Sequence, residues 1–222
     1  MEFLIFRERW DNMGKLQIAY RVLGVIGTNV YFLINTETNQ TILVDPADNA
    51  EYILDQCEMR DYYVSGILLT HGHFDHIYAI NDLKKHRDIP VYACAAEEKL
   101  LADPELNRSA AWASPCSVKA DVLLTDGQEF DLAGFHIRMI HTPGHTAGSC
   151  CYYIEDEKVL FSGDTLFYES FGRTDLETGS QTAIIRSIRG KLLVLPPDVQ
   201  VYPGHEEFTT IEHERKYNPA RG

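Results

Sequence analysis

Four residues able to bind a metal fall within six positions of this chain, in the hexapeptide HGHFDH at 71–76. His71 and His73 are two apart, so in extended backbone they point to the same side. Asp75 and His76 follow at the start of a predicted helix and can face a neighbouring position. Neutral imidazole and carboxylate suit zinc, iron or manganese, and the thiolate of most structural zinc sites is missing. Three more candidates follow in order: His145 in TPGHT, Asp164 in SGDT and His205 in YPGH. Each of these alone reads equally well as a turn residue. Together with HGHFDH they form one metal-binding constellation.

The elements that must position these groups alternate along the chain. Residues 30–35 and 41–45 read as a hairpin with a polar turn between them. Residues 50–60 read as a helix capped by Asp48 or Asn49. Residues 66–70 form a short apolar strand running straight into HGHFDH. Residues 75–85 have helical spacing, with Ile77, Ile80 and Leu83 as the buried stripe. A strand at 91–93 and a helix at 95–101 close the first half. In the second half, 130–132 and 135–140 form a hairpin, as do 150–154 and 159–162. A helix at 182–189, a strand at 199–202 and a helix at 209–216 complete the pattern. Every His/Asp cluster follows a strand, where a rigid scaffold usually presents catalytic groups on loops. Strands mixed with helices in both halves suggest packed sheets with helices outside.

Composition narrows the function. A chain of 222 residues with 45% hydrophobic and 24% charged residues suits one globular domain over 1–222. The formal net charge of −13 argues against nucleic acid as a partner, because such binding needs clustered Lys and Arg. No apolar run is long enough to cross a bilayer, and the opening MEFLIFRERW lacks a secretory pattern. The expectation is a cytoplasmic protein without a membrane partner. Five cysteines, with no C-x-x-C among them, fit neither a disulfide framework nor a zinc ribbon, so they read as reduced, mostly buried thiols. Cys150 and Cys151 are adjacent and must face opposite sides of a strand.

HGHFDH, His145 in TPGHT, Asp164 in SGDT and His205 in YPGH resemble the full ligand set of the metallo-β-lactamase superfamily. The resemblance covers nearly the whole chain. It implies the αββα sandwich, two mixed β-sheets packed together with helices outside. Within that superfamily, GDTLFYESFGRTDLETG and YPGHEEFTTIEHERKYNP resemble the small bacterial type II glyoxalase-like hydrolases. The family pattern implies two divalent metal ions, zinc foremost with iron or manganese compatible. His71, His73 and His145 would hold one, Asp75, His76 and His205 the second, and Asp164 would bridge them. Two such metals share a hydroxide able to attack an acyl carbonyl. Asp75 would also orient that hydroxide. The implied substrate is a small thioester such as a lactoyl-thiol. Only a short tail follows His205, so the long helical domain that holds glutathione in larger type II glyoxalases is not expected, which leaves a different thiol carrier or acyl ester open.

Two other activities share this ligand set. A mononuclear non-haem iron persulfide dioxygenase would use His71, His145 and Asp164 alone. A lactonase would use all seven. Around the ligands, Asp45 in LVDPA can support a ligand histidine from behind. Arg173 and Asp175 in FGRTD can contact substrate or pair with each other. Tyr168 and its neighbours Phe167 and Phe171 can line a substrate pocket. His141, close to His145, is expected to stay outside the ligand set.

Overall fold

The computed structural model describes residues 14–112 and 114–222, and the backbone of Arg7–Arg9. The rest of the N-terminal decapeptide, read above as lacking a secretory pattern, lies outside the described residues. Thr28–Asn35 (β3) is buried at every position, so it must run between two apolar layers. Its side chains alternate accordingly. Val30, Phe32 and Ile34 join the cluster that packs under helices. Tyr31 and Leu33 join the cluster between the two sheets.

The first sheet has seven strands in sequence order. They are β1 (Arg7–Arg9), β2 (Leu16–Leu23), β3, β4 (Gln40–Val44), β5 (Tyr63–Leu68), β6 (Val91–Cys94) and β7 (Val122–Leu124). The second sheet has the order β15-β14-β11-β10-β9-β8. Its strands are β8 (Glu129–Leu132), β9 (Phe135–His141), β10 (Cys150–Ile154), β11 (Val159–Gly163), β14 (Gln200–Pro203) and β15 (Thr209–Thr210). A small hairpin, β12 (Leu166–Phe167) with β13 (Ser170–Phe171), stands apart. Both large sheets mix parallel and antiparallel pairs.

Helices cover the outer faces. Ile53 and Cys57 of α1 (Ala50–Glu58), Ile77 of α2 (Phe74–Ile77), and Ile80 and Leu83 of α3 (Ile80–His86) pack on the first sheet. Ile184 of α5 (Gln181–Ser187) and Ile211 of α6 (Ile211–Tyr217) pack on the second. The order helix, sheet, sheet, helix is the sandwich expected. Cys150 and Cys151 fall in the inter-sheet and outer clusters respectively, on opposite faces of β10. All five cysteines are free, and four of them are buried. No helix among the described residues is long and apolar enough to cross a membrane.

Strand direction explains why the ligand loops meet. The parallel neighbours β4 and β5 end at the same edge. So do β11 and β14. Because β9 and β11 both run antiparallel to β10, β9 ends at that edge of its sheet too. Asp45 follows β4, HGHFDH follows β5, His145 follows β9, Asp164 follows β11 and His205 follows β14.

Several boundaries differ from expectation, each for a physical reason. The helix predicted over 75–85 is two helices, α2 and α3. The Ala79 amide donates to Pro46 O at 3.1 Å rather than to the carbonyl four residues back. The stripe Ile77, Ile80 and Leu83 is nonetheless fully buried. The predicted helix at 95–101 opens as a single 3-10 turn, Ala95–Glu97, before α4 (Glu98–Ala102). The segment at 182–189 ends in a π turn, Ile188–Leu192. Thr209–Thr210 joins the sheet before α6 begins, with the Thr210 side chain capping that helix. Strands β2 and β7 and the β12–β13 hairpin went unpredicted. Of the two candidate caps for α1, Asn49 accepts from the Tyr52 amide.

Phe161 sits between the sheets, 5.2 Å from the Tyr31 ring and 5.3 Å from the Tyr202 ring. It is fully buried. Phe161→Ala is expected to cost about 3–5 kcal/mol by urea denaturation, from lost transfer energy and the cavity left behind. A loss under ~1 kcal/mol would mean the two sheets repack around the gap.

Candidate metal centre

Asp45 sits at the end of β4 in a left-handed conformation, φ 48°. Its carboxylate takes three hydrogen bonds. Oδ1 accepts from the Thr70 amide at 2.8 Å, and Oδ2 from Thr70 Oγ1 at 2.6 Å and from His76 Nδ1 at 2.9 Å. The Thr70 hydroxyl has one proton, given to Asp45, so it accepts from His71 Nδ1 at 3.2 Å. His145 Nδ1 donates to Arg173 O at 2.8 Å, and His205 Nδ1 to Gly27 O at 3.3 Å. These four bonds fix the rings of His71, His76, His145 and His205 with Nε2 toward the centre.

The inward atoms form two groups. His145 Nε2 lies 2.8 Å from His73 Nδ1 and 3.2 Å from His71 Nε2. In the second group His205 Nε2 is 3.3 Å from His76 Nε2 and 3.3 Å from Asp75 Oδ2. Each group could hold one metal ion. Asp164 stands between them. Its Oδ1 is 3.5 Å from His76 Nε2, and its Oδ2 is 3.5 Å from His145 Nε2 and 3.6 Å from His205 Nε2. A third grouping, Asp45 with His71 and His76, is also close enough for a metal. Since the Asp45 oxygens are already taken by Thr70 and His76, we read Asp45 as a support for His76, not a ligand.

Two observations test whether a cation fits here. Asp164 Oδ1 is buried without a hydrogen-bond partner, an arrangement that costs free energy unless something electropositive meets it. Gly204 leaves the space open, since a Cβ there would lie 2.3 Å from Asp164 Oδ1 and 2.8 Å from the His76 ring. The donor set is imidazole and carboxylate throughout, which matches divalent zinc, iron or manganese.

The charges are asymmetric. Burial, reinforced by neighbouring histidines, pushes His71 well below the ordinary imidazole value. Burial and then His145 bring His73 down to about 3. On the other side, burial opposes charge on His76, but Asp75, Asp45 and Asp164 outweigh it and lift the ring to about 10. His205 is also raised, against its burial, by its hydrogen bond to Asp75 and the charge of Asp164. Burial acts to raise Asp75, yet His76 and His205 hold it below the usual carboxylate range.

A cleft of about 680 Å³ opens on these groups. His73, Asp75, His145, Asp164 and His205 form its floor. Ile26, Phe74, Arg108, Trp112 and Leu176 are among its walls. Arg173 contributes to both: its carbonyl orients His145, and its side chain reaches the rim. That guanidinium grips Asp175 through two bonds of 2.7 Å, and both side chains are largely exposed. The pair expected from FGRTD therefore forms, and Arg173 holds Asp175 down to about 2.

Tyr168 is a correction. It does not line the cleft but stacks on His213 of α6 at 4.8 Å, because the β12–β13 hairpin turns it outward. Phe167 lines the cleft instead, 6.2 Å from His205. Phe171 packs against the outer cluster. His141 spends Nε2 on Ala147 O, outside both groups. Arg108 and Trp112 are cleft residues the sequence reading missed. Their segment has no apolar period, and their partners are remote: Arg108 bonds Glu177 at 2.7 Å, and Trp112 stacks on Phe74 at 4.9 Å. The one signal available was a tryptophan among the small residues of a loop, NRSAAWASPCS.

Two measurements follow. At pH 7 the metal-free His76 holds an extra proton that ligation must expel. Metal uptake at pH 7 should therefore release about one proton or more, and affinity should rise with pH. Calorimetry in buffers of different ionisation enthalpy reads this directly; uptake without proton release would contradict the raised His76. Asp45→Asn should weaken metal binding ~10–100-fold by chelator competition, because His76 and Thr70 lose their common acceptor.

Comparison with known proteins places the chain. Residues 23–205 match the family model of the metallo-beta-lactamase superfamily. Hydroxyacylglutathione hydrolase GloC of Haemophilus influenzae is 34% identical over 193 residues, covering 84% of this chain and 90% of that protein. The crystal structure of the BLEG-1 B3 metallo-beta-lactamase superposes with a TM-score of 0.87 at 40% identity, covering 92% of this chain and 99% of that one. The structure of TTHA1623 in a di-iron-bound form superposes at 0.81 with 32% identity, covering 90% and 98%. Matched in this way along most of its length, the chain belongs to the metallo-beta-lactamase superfamily and is a metal-dependent hydrolase of that family.

Proposed function

We propose that the protein hydrolyses a small-molecule thioester, of the lactoyl-thiol class, with two divalent metals. The observation that carries this reading is the Asp164 carboxylate, standing between two complete ligand groups, with Oδ2 within 3.6 Å of a histidine from each and Oδ1 3.5 Å from His76. His71, His73 and His145 would hold one metal and Asp75, His76 and His205 the other. Metals bound there supply Lewis acidity for the acyl carbonyl and a water activated at neutral pH.

The chain's own residues do the positioning. Asp45 fixes the His76 ring, and the Arg173 carbonyl fixes His145. Asp75 accepts from Thr28 Oγ1 at 3.3 Å, which orients its carboxylate at the cleft floor to accept a hydrogen bond from the attacking water and aim it. Phe74, Trp112 and Ile26 give the cleft an apolar wall that limits bulk water. The leaving group also favours a thioester. Every histidine lining the cleft belongs to the ligand groups, and no cysteine lines it among the described residues. A thiol, with a pKa near ~8.5, departs as thiolate without the strong proton assistance an amine needs. The likeness to GloC, a hydroxyacylglutathione hydrolase, supports the same substrate class.

Elemental analysis of protein purified without added metal or chelator should find about two metals per chain. The same protein should hydrolyse S-lactoyl thioesters faster than β-lactams or lactones. His73→Ala and Asp164→Ala should lose metal and drop turnover ~100-fold or more. Full turnover after the metal is removed would end this reading. One iron per chain, with oxygen consumed on a persulfide, would replace it with the dioxygenase.

A further inference from the structure

We propose that Glu97 is a positioning residue that forms the three-histidine half of the centre before any metal arrives. This rests on the reading that His71, His73 and His145 hold a metal. Glu97 closes the 3-10 turn after β6 and is 1% exposed. Its two oxygens are divided between two ligand loops. Oε1 accepts from the amide of Gly72, the residue between His71 and His73, at 2.9 Å. Oε2 accepts from the amide of Gly148, in the loop that carries His145, at 2.8 Å. The Thr146 side chain, next to His145, also bonds it. One carboxylate thus joins the loop after β5, in the first sheet, to the loop after β9, in the second.

The cost of this arrangement argues for a purpose. No ion pair among the described residues involves Glu97, and burial pushes its carboxyl up to about 7 against the pull of those hydrogen bonds. A buried carboxylate with only neutral donors is expensive to keep. A neutral residue of similar size would fill the space at lower cost but would not accept from two amides at once. The contact is also very close. A Cβ on Gly148 would fall 2.4 Å from the Glu97 amide nitrogen and 2.4 Å from Oε2, so only glycine lets that loop approach. His145 and His73 stand 2.8 Å apart, and His145 and His71 3.2 Å. His73 Nδ1–H can donate to His145 Nε2, but the Nε2 atoms of His71 and His145, both left as acceptors by the bonds at their Nδ1 atoms, repel at that spacing, so a restraint outside these two rings must hold their loops together before a cation does.

Glu97→Gln tests this against Glu98→Gln, a change at the exposed neighbouring position. Glutamine turns one acceptor into a donor, so at least one glycine amide loses its partner. In Glu97→Gln the three-histidine metal should bind ~10–100-fold more weakly, leaving about one metal per chain after dialysis, while Glu98→Gln keeps two. With cobalt(II) as the probe, the shifted Nδ1–H proton resonances of His71 and His145 should vanish and those of His76 and His205 persist. A Glu97→Gln protein holding both metals at native affinity overturns the proposal, and so does loss from the other group. Should that variant fail to fold, amide exchange in metal-stripped wild-type protein decides. Gly72 and Gly148 should stay protected; rapid exchange would mean that the metal, and not Glu97, organises the loops. Wild-type protein that binds two metals yet cleaves no thioester would sink the substrate reading and leave this one standing.

Discussion

Like-charged and lone-pair atoms gathered in a protein interior repel one another, and the architecture of this chain depends on containing that repulsion. Three imidazole nitrogens meet on one side, and two imidazoles with a carboxylate meet on the other, with a second carboxylate between them. No side chain neutralises the whole group. Hydrogen bonds behind the ligands do the containing. Asp45, Thr70, the Arg173 carbonyl and the Gly27 carbonyl each hold a ring from its far side. These supports come from β-strand ends or from loops braced by them, so the rigidity of the sheets reaches the ligands through single bonds.

The two sheets divide the work. The first presents HGHFDH and its support Asp45; the second presents His145, Asp164 and His205. Each metal group draws on both sheets, so the centre exists only where the sheets meet. The aromatic packing of Tyr31, Phe161 and Tyr202 between them sets how closely the two edges approach. A fault in that packing is therefore felt at the ligands, even though none of these rings touches the cleft.

The ligand loops were legible in the sequence because their information is local. Histidine, aspartate and glycine in a few adjacent positions specify both the donors and the turns that present them. Asp45 was legible as a candidate support from its place at a strand end in LVDPA, while the parallel pairing that sets its strand beside the one feeding HGHFDH emerged only in the fold. What could not be read depends on partners far along the chain. The break between α2 and α3 comes from the Pro46 carbonyl, more than thirty residues upstream of Ala79. Tyr168 follows Asp164 closely, yet the β12–β13 hairpin turns it toward α6. Arg108 and Trp112 reach the cleft through Glu177 and Phe74, neither of them near in sequence. Strand β2 hides because its residues alternate only loosely between buried and exposed.

Division of the ligands between the two halves of the chain also orders events during synthesis. HGHFDH leaves the ribosome long before His205, its partner across 129 positions. Until β14 emerges and pairs beside β11, the second group has no third ligand, and until β9 emerges the first has none. A nascent chain can offer a metal only the local donors of one loop, a weak and unselective site. Choice of metal is thus deferred until both sheets have docked, when geometry and not encounter decides which ion stays.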